Sequence, residues 1–256
     1  MSTQKPTIVL VHGAFAESAS WNPVIERLHR SPVPVAAHDR PFGEVVAVAN
    51  PLRSLSGDAT YVRDVLRSID GPILLVGHSY AGLVISEAAA GNDAVVALVY
   101  VNAFAPDHGE SAFQLSTMFP GAPGPDEFAA SPLTDGSADL ALKRDIYHQR
   151  FCADVPEDLA TLMSATQRPA TQEALSEPLS ANVPAWKQIP SWFVFGDQDL
   201  IIPVAVHRFM AERAEARGIR EIAGASHAIS VSDPEAVVGT ILDAVGATTR
   251  DPVEAS

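Results

Sequence analysis

Apolar residues are grouped in four short runs, and each run ends at small or polar residues. The runs are residues 8–11, 73–76, 95–101 and 192–195. Runs this short and this continuously apolar are typical of strands that are buried on both faces, as in a parallel sheet. The pattern therefore predicts four strands of one parallel sheet.

The segments between these runs have the periodicity of amphipathic helices. Val62, Val65, Leu66 and Ile69 fall at positions i, i+3, i+4 and i+7, which places them on one helix face. A similar segment near the end of the chain follows Asp233, a capping residue, and has proline in its first position. Alternation of strands and helices predicts right-handed crossovers and an α/β fold with a doubly wound, mostly parallel sheet.

Two stretches interrupt this alternation, and the first is residues 31–43. This stretch is rich in proline, and we expect an insertion there that precedes a strand at about residues 44–49. Residues 33–37 are an alternative position for that strand.

The second interruption is residues 109–188, which contain no apolar run of the strand type. Helical segments are expected around residues 138–151, 155–166 and 171–181. We therefore expect an α/β core formed by residues 1–108 and 189–256. Residues 109–188 are expected to form a helical lid inserted between two strands of that core.

Length and composition limit the classes to which this protein can belong. A chain of 256 residues is the length of one large α/β domain, and 47% hydrophobic with 19% charged residues is a globular composition. The chain has 17 basic and 31 acidic side chains and a net charge of −14. This charge opposes binding to nucleic acid and to anionic membranes, whose phosphates require clustered Lys and Arg. No run approaches the ~20 apolar residues that span a bilayer.

The N-terminal segment and the cysteine content indicate a compartment. No basic segment followed by an apolar one of signal-peptide length precedes the first strand. The single cysteine, Cys152, cannot form an internal disulfide, which fits a reducing compartment. Its neighbours, Phe151 and Ala153, indicate a packed thiol rather than a catalytic one. We therefore expect a cytoplasmic protein.

Ser79 is the candidate nucleophile because of the turn on which it lies. Gly77-His78-Ser79-Tyr80-Ala81 follows an apolar run and precedes a helical one. A serine at such a strand-to-helix turn has strained backbone angles that lift its Oγ above the sheet. The alternative is a turn of small residues without a catalytic role. The chain departs from the Gly-x-Ser-x-Gly pattern at Ala81, and the glycine is displaced to Gly82. We expect this methyl to add strain without abolishing the turn.

His227 is the candidate general base, since a serine hydroxyl is a weak nucleophile at neutral pH and needs one. This histidine lies in a loop between an apolar run at residues 219–223 and the capped final helix. From such a loop an imidazole can reach the nucleophile. No role follows for the histidines that lack this setting: His29, His38, His108, His148 and His207.

Three carboxylates compete for the role of the acid that accepts a hydrogen bond from His227 and stabilises its imidazolium form. Asp197 and Asp199 both follow the strand of residues 192–195. Asp199 is favoured by its spacing from the glycine before it and the proline after it, whereas Asp197 suits a turn. Asp107 is the third candidate, because some hydrolases have the acid after the preceding strand.

Acyl transfer also requires hydrogen-bond donors for the oxyanion of the tetrahedral intermediate. The backbone N–H of Tyr80, directly after the nucleophile, is one candidate. The loop after the first strand supplies the other, for which we favour the N–H of Ala14. His12, in the same loop, is expected to have a structural hydrogen-bonding role.

The order Ser79, Asp199, His227 is that of the α/β-hydrolases. Motifs over about residues 7–245 resemble the lidded members of this superfamily. The motifs are Val9-Leu10-Val11-His12-Gly13-Ala14-Phe15 with Trp21, Asn50-Pro51-Leu52 with Ser54-Leu55, Gly77-His78-Ser79-Tyr80, Asn102-Ala103-Phe104-Ala105-Pro106-Asp107, Asp199 with Pro203, and residues 224–227. The nearest resemblance is to small bacterial esterases akin to plant methyl esterases and hydroxynitrile lyases.

The resemblance implies hydrolysis of a carboxylic ester of a small to medium apolar or aromatic compound through an acyl-enzyme intermediate. It implies a small-molecule ester as the partner and neither a metal nor another cofactor. Ser79 would attack, His227 would take and return the proton, and Asp199 would hold His227.

Other activities of the same fold are the alternatives. Plant hydroxynitrile lyases have a threonine after the oxyanion-loop histidine and a lysine after the catalytic one, where this chain has Gly13 and Ala228. The lyase is therefore disfavoured. Cofactor-free perhydrolysis on the same triad is a second alternative. A ligand-binding receptor that kept the hydrolase fold without catalysis is the third.

Overall fold

The computed structural model describes residues 4–30 and 40–249 of the chain. The strands in these residues are β1 (Thr7–Val11), β2 (Val45–Val48), β3 (Ile73–His78), β4 (Val95–Val101), β5 (Phe128–Pro132), β6 (Ala138–Leu142), β7 (Ala170–Thr171), β8 (Ser191–Gly196) and β9 (Gly218–Ile222). Six of them pair in parallel in the order β2-β1-β3-β4-β8-β9. The other three form an antiparallel sheet, β5-β6-β7.

The α-helices follow the strands in the expected alternation. They are α1 (Asn22–Arg30), α2 (Leu55–Arg67), α3 (Ala81–Ala88), α4 (Ala112–Ser116), α5 (Arg144–Phe151), α6 (Glu157–Thr166), α7 (Gln172–Ser176), α8 (Val204–Arg213), α9 (Ile229–Ser232) and α10 (Pro234–Thr249). Ser54 caps α2 by accepting a hydrogen bond from the N–H of Gly57, and Asp233 caps α10 through the N–H of Ala236. Both caps satisfy N–H groups that the helix itself leaves unpaired.

The six-stranded sheet is covered on both faces. Successive residues of a strand point to opposite faces. Val9 and Val11 of β1 accordingly join an apolar cluster with α2, α3 and α8, whereas Ile8 and Leu10 join another with α1 and α10. The arrangement confirms the predicted doubly wound, mostly parallel sheet. It also explains why the strands are continuously apolar, because neither face of a central strand is exposed to water.

The strand expected at about residues 44–49 is β2, which pairs with β1 from Ile8 opposite Val45 to Val11 opposite Val48. The alternative position at residues 33–37 lies outside the described residues. Most of the insertion expected at residues 31–43 also lies outside them.

Residues 109–188 lie between β4 and β8, which are neighbours in the parallel sheet. The expectation that this insertion has no strand is wrong, because β5, β6 and β7 form within it, and β6 occupies the first part of a segment expected to be helical. Helices α5, α6 and α7 do fall within the three segments expected to be helical. Four of the five residues of β5 are exposed. Backbone pairing rather than an apolar run therefore defines this strand, and a search for apolar runs misses it.

Candidate active site

Ser79 lies on the turn between β3 and α3 with φ at +56°, a left-handed conformation that is uncommon for a residue other than glycine. Its carbonyl accepts hydrogen bonds from the N–H groups of Gly82 at 3.0 Å and Phe104 at 3.2 Å. These two bonds hold the turn in a conformation that costs on the order of 1–3 kcal/mol. A strained serine at a turn between a strand and a helix is what a nucleophile elbow requires.

The glycines around this turn explain how the chain accommodates Ala81. A Cβ at Gly82 would lie 1.9 Å from the carbonyl oxygen of Phe104, so this position cannot carry a side chain. A Cβ at Gly77 would lie 2.8 Å from the carbonyl oxygen of Ala81. The displaced glycine therefore serves the close approach of α3 to the segment after β4. Ala81 is fully buried in the core, and the turn forms with its methyl group present.

Asp199 and His227 are brought together from two different loops. Oδ2 of Asp199 accepts a hydrogen bond from Nδ1 of His227 over 2.7 Å, and both side chains are fully buried. Oδ1 of Asp199 accepts bonds from the N–H groups of Ile201 and Ile202, each at 2.9 Å. Nε2 of His207 donates to Oδ2 as well, at 3.0 Å.

These partners decide the charge of the acid. Burial alone raises the pKa of Asp199. The adjacent His227 and the hydrogen bonds from His207 and His227 outweigh burial and hold that pKa well below its usual range. Asp199 is therefore an ionised carboxylate inside the protein, suited to stabilising a positive charge on an imidazole.

The backbone of His227 is held by two residues whose roles the sequence did not predict. Its carbonyl accepts 2.9 Å hydrogen bonds from Nε2 of His78 and from Nδ2 of Asn102. Oδ1 of Asn102 accepts from the N–H of Gly196, which ties the ends of β4 and β8 to the histidine loop. Asn102 and His78 each follow or end an apolar run, but the partners are 125 and 149 residues away in sequence. No local pattern identifies such contacts.

His227 keeps one nitrogen available. Nε2 is buried and has no hydrogen-bond partner in residues 4–30 and 40–249, so it does not bond Ser79. The ring is 4.8 Å from that of His78, the residue before Ser79, and Phe151 packs against it edge-on at 4.9 Å. Hydrogen bonds between nucleophile and base are commonly long before substrate binds.

The other two candidate acids have different partners. Asp107 pairs with Nζ of Lys187 at 2.7 Å at the surface. Burial tends to raise the pKa of Asp107, but the Lys187 bond and the N–H of His108 lower it overall. Oδ1 of Asp197 accepts the N–H of Gly224 at 2.7 Å, as a turn residue does.

The loop after β1 lies directly against the nucleophile. A Cβ at Gly13 would be 2.6 Å from Cβ of Ser79 and 3.2 Å from its Oγ. Nδ1 of His12 bonds the carbonyl of Gly13 at 2.9 Å, and its Nε2 accepts the N–H of Asn50 at 3.0 Å. His12 is thus occupied on both nitrogens, and burial lowers its pKa. Ala14 follows in this loop.

Tyr80, which carries the other candidate oxyanion donor, occupies the N-cap of α3. The first N–H groups of a helix have no hydrogen-bond partner within the helix. The N–H of Tyr80 is therefore held in a fixed direction by the helix but makes no hydrogen bond within it. The Tyr80 side chain is anchored separately, because its hydroxyl donates to Oδ2 of the buried Asp58 at 2.9 Å.

The insertion contacts both loops of the site. The hydroxyl of Tyr147 donates to the carbonyl of Phe15 at 2.8 Å, and the N–H of Phe15 donates to the carbonyl of Arg168 at 3.0 Å. Asp154 accepts the N–H of Ser226, next to His227, at 3.0 Å. Ser79 is 4% exposed. The candidate nucleophile is therefore buried in this conformation.

Two cavities of about 490 and 530 Å³ lie within the insertion. Arg144, Asp145, Ser164 and Ala165 line both of them, and none of the three candidate triad residues lines either. Among residues 4–30 and 40–249, no group of three or more His, Cys, Asp and Glu side chains is arranged to hold a metal ion. In the same residues no helix is long and apolar enough to cross a membrane.

Comparisons with known proteins identify a family by sequence and a shared fold by structure. The sequence profile of the Alpha/beta hydrolase family matches residues 8–240. The chain is 28% identical over 254 residues to the alpha/beta hydrolase nvfD of Aspergillus novofumigatus, with 94% of this chain and 97% of that protein covered. Polyneuridine aldehyde esterase is similar in structure at a TM-score of 0.76, with 19% identity over 94% of this chain and 99% of that one. A methylesterase from Arabidopsis has a TM-score of 0.74, with 17% identity over 94% and 99%.

Proposed function

Because the chain belongs to the alpha/beta hydrolase family, we propose that it is a serine hydrolase acting on carboxylic esters of small to medium apolar or aromatic compounds. The observation that carries this proposal is the buried pair of Asp199 and His227. Its imidazole has Nδ1 bonded to an ionised carboxylate and Nε2 left as a free acceptor. A histidine in this state is a general base, and the strained Ser79 is the nucleophile it would serve.

The reaction follows from these positions. Ser79 Oγ attacks the ester carbonyl while Nε2 of His227 takes its proton, and Asp199 stabilises the imidazolium that forms. The backbone N–H groups of Ala14 and Tyr80 donate to the oxyanion. The imidazolium then gives its proton to the leaving alcohol, which produces an acyl-enzyme on Ser79. Water, activated by His227, attacks the acyl group, and the carboxylic acid leaves with Ser79 restored.

An apolar or aromatic substrate suits the aromatic side chains beside the loops of the site. Phe151 packs against the imidazole of His227. On the side of the oxyanion loop, Phe15 and Phe128 have ring centroids 5.6 Å apart. The similarity of the fold to esterases favours a carboxylic ester over other acyl compounds.

We also propose that residues 109–188 act as the lid. They contact Phe15 in the oxyanion loop and Ser226 beside His227, and Ser79 is only 4% exposed. We expect substrate to reach Ser79 when these contacts open. The described core strands need no movement, because the triad candidates all lie on loops at the carboxyl ends of β3, β8 and β9.

A hydroxynitrile lyase is not supported by the geometry around Ser79. The threonine that such lyases have at the position of Gly13 would add a Cβ 2.6 Å from Cβ of Ser79. At the position of their lysine this chain has Ala228, which is buried and carries no charge to stabilise cyanide.

Turnover of a panel of p-nitrophenyl and methyl esters with short, branched and aromatic acyl groups tests the proposal, together with labelling by a fluorophosphonate probe. We expect turnover of at least the activated aryl esters, insensitive to a chelator, and labelling on the peptide that contains Ser79. Loss of turnover with chelator would contradict the scheme. A folded protein that neither turns over esters nor is labelled would instead favour a ligand-binding receptor.

A further inference from the structure

A second histidine bonds the same carboxylate oxygen that His227 contacts. Nε2 of His207, in α8, donates to Oδ2 of Asp199 at 3.0 Å, and Nδ1 of His227 donates to it at 2.7 Å. All three side chains are fully buried. A nucleophile, a base and an acid suffice for acyl transfer. The hydrogen bond from a second imidazole to the acid therefore needs a separate explanation.

The surroundings of His207 determine which of its nitrogens carries the proton. An ionised carboxylate only accepts hydrogen bonds, so Nε2 must be the donor. Nδ1 is buried without a hydrogen-bond partner in the part of the chain that the structure describes, and a proton there would be a donor with no acceptor. The ring is stacked on Phe195 with centroids 5.0 Å apart and planes 11° apart. His207 is therefore held in one orientation, with its N–H on Asp199.

The bond from His207 completes the restraint of the carboxylate. Oδ1 already accepts the N–H groups of Ile201 and Ile202, both from the loop that carries Asp199. With His207 on Oδ2, the carboxylate cannot rotate about its Cβ–Cγ bond without losing a hydrogen bond at either oxygen. The remaining bond at Oδ2 is the one to His227.

We propose that His207 is a positioning residue that acts on His227 through Asp199. It fixes the direction in which the carboxylate meets Nδ1 of His227. By sharing the negative charge of Oδ2, it also weakens the attraction between Asp199 and the imidazolium that forms on His227 during the reaction. This inference rests on the proposed roles of Ser79, Asp199 and His227.

Several other titratable or charged groups face this cluster from the elements packed against it. They are His78 at the end of β3, Asp154 after α5, Asp197 in the loop of the acid, and the ion pair of Arg208 on α8 with Glu221 on β9. All of them are present in every variant described below. A difference between variants therefore reports the change at residue 207.

Two substitutions separate the hydrogen bond from the packing of the ring. His207→Phe keeps a ring that can stack on Phe195 and removes the donor. His207→Gln loses the ring and keeps an N–H donor on a side chain of similar length. We expect His207→Phe to lower kcat roughly tenfold or more with KM within about twofold, since a hydrogen bond to a charged group is lost. We expect His207→Gln to stay within about threefold of the unchanged protein.

The pH profile gives the second readout. In His207→Phe, Oδ2 of Asp199 has lost the hydrogen bond from residue 207, so more of its negative charge acts on His227. The midpoint of the acidic limb of kcat/KM should therefore move up by roughly half a pH unit. In His207→Gln it should stay near that of the unchanged protein. The reverse ranking, with the glutamine variant damaged and the phenylalanine variant intact, would show a packing role and overturn the inference. Equal profiles in all three proteins would overturn it as well.

A third readout does not depend on activity. In the unchanged protein labelled with ¹⁵N-histidine, we expect slowly exchanging ring N–H signals from the buried, hydrogen-bonded histidines, including His12 and His78. Those of Nδ1 of His227 and Nε2 of His207 should lie at the lowest field, because both bond a carboxylate; loss of one of them in His207→Gln assigns the His207 signal. Absence of the His207 signal contradicts the inference while leaving the proposed function intact. Failure of the fluorophosphonate probe to label Ser79 in the unchanged protein contradicts the proposed function instead.

Discussion

The parallel sheet and the insertion of residues 109–188 both contact the site, but they hold it in different ways. The sheet side holds Asp199 and His227 by several buried hydrogen bonds to each, among them those from Ile201, Ile202 and Asn102. The insertion contributes isolated contacts, such as that of Tyr147 with the carbonyl of Phe15. A network of several buried hydrogen bonds is costly to break, whereas a single hydrogen bond such as that of Tyr147 contributes about 1 kcal/mol.

This difference assigns separate tasks to the two regions. The proposed chemistry requires fixed distances, and Ser79 and Asp199 follow β3 and β8, which are paired with a strand on each side. His227 follows the edge strand β9, and its carbonyl is held by hydrogen bonds from His78 and Asn102. The proposed lid role requires a part that can move, and the insertion meets the loops of the site through contacts that can open one at a time. We therefore expect substitutions on the sheet side to change rates by orders of magnitude and those on the insertion by small factors.

The largest effect is expected for Ser79→Ala, which removes the proposed nucleophile. Ester turnover should fall on the order of 10⁵- to 10⁶-fold, as loss of the serine does in other triads. The melting temperature should be unchanged or slightly raised, because alanine removes one hydroxyl. The measurement is p-nitrophenyl ester hydrolysis with thermal unfolding as the control for folding. Undiminished turnover would mean that another residue is the nucleophile.

The second largest effect is expected at the acid, and it distinguishes among the three candidate carboxylates. Asp199→Asn should lower kcat by about 10⁴-fold, because the amide cannot hold the imidazole in the tautomer that accepts the serine proton. Asp107→Asn and Asp197→Asn are matched controls, since each is bonded elsewhere, and both should lower kcat only slightly. If Asp107→Asn proves the most damaging, the acid lies after β4 and the loop after β8 serves only the structure.

The sequence predicts the strands of the parallel sheet better than it predicts the contacts around the site or the strands of the insertion. Strands β1, β3, β4 and β8 are found from their apolar runs because a buried parallel strand must be apolar on both faces. The order Ser79, Asp199, His227 identifies the candidate triad because each residue follows a strand.

The hydrogen bonds that hold the candidate triad cannot be predicted from a local sequence pattern. Asn102 reaches His227 across 125 residues, and His207 gives no signal of its bond to Asp199 beyond being a histidine on a helix. The strands of the insertion were missed for a related reason. Their stability comes from backbone pairing and packing on the core, neither of which leaves a periodic pattern in the residues.

The close approach of the oxyanion loop to the nucleophile gives a third prediction. Gly13→Ala should lower kcat by roughly 10²- to 10³-fold, the range for loss of an oxyanion donor, because the added Cβ displaces the loop that carries Ala14. Gly246→Ala is the matched control, since among residues 4–30 and 40–249 a Cβ built there meets no atom within 4 Å outside the neighbouring turns of its own helix. Fluorophosphonate labelling of Ser79 should slow in parallel in Gly13→Ala alone. Equal rates in both variants would show that the loop tolerates a side chain.

The buried histidine at the end of β3 predicts how stability changes with pH. Burial lowers the pKa of His78 to about 3. The unfolded chain binds a proton there below about pH 6.5, whereas the folded chain does not until about pH 3, so stability falls as the pH falls across this range. Between pH 7.5 and pH 5 the loss from this one residue is about 2 kcal/mol.

Urea unfolding at the two pH values measures this loss. His78→Gln cannot be protonated and keeps a donor for the carbonyl of His227, so it should remove the loss. The control His29→Gln, at an exposed histidine, should retain it. The same pH dependence in all three proteins would place its origin outside His78.

The smallest effect is expected on the insertion side, from Tyr147→Phe. The change removes the hydroxyl that donates to the carbonyl of Phe15 and keeps the ring stacked on Phe151 at 4.9 Å. The lost bond should lower the free energy of unfolding by about 1 kcal/mol. It should change kcat/KM by only about two- to fivefold, because the triad candidates keep all their hydrogen bonds. Tyr61→Phe, at a tyrosine that is 43% exposed, is the control and should change neither quantity. Tyr147→Phe could instead lose as much activity as Gly13→Ala. The insertion would then position the oxyanion loop as firmly as the sheet positions Asp199 and His227, and the division of tasks between the two regions would not hold.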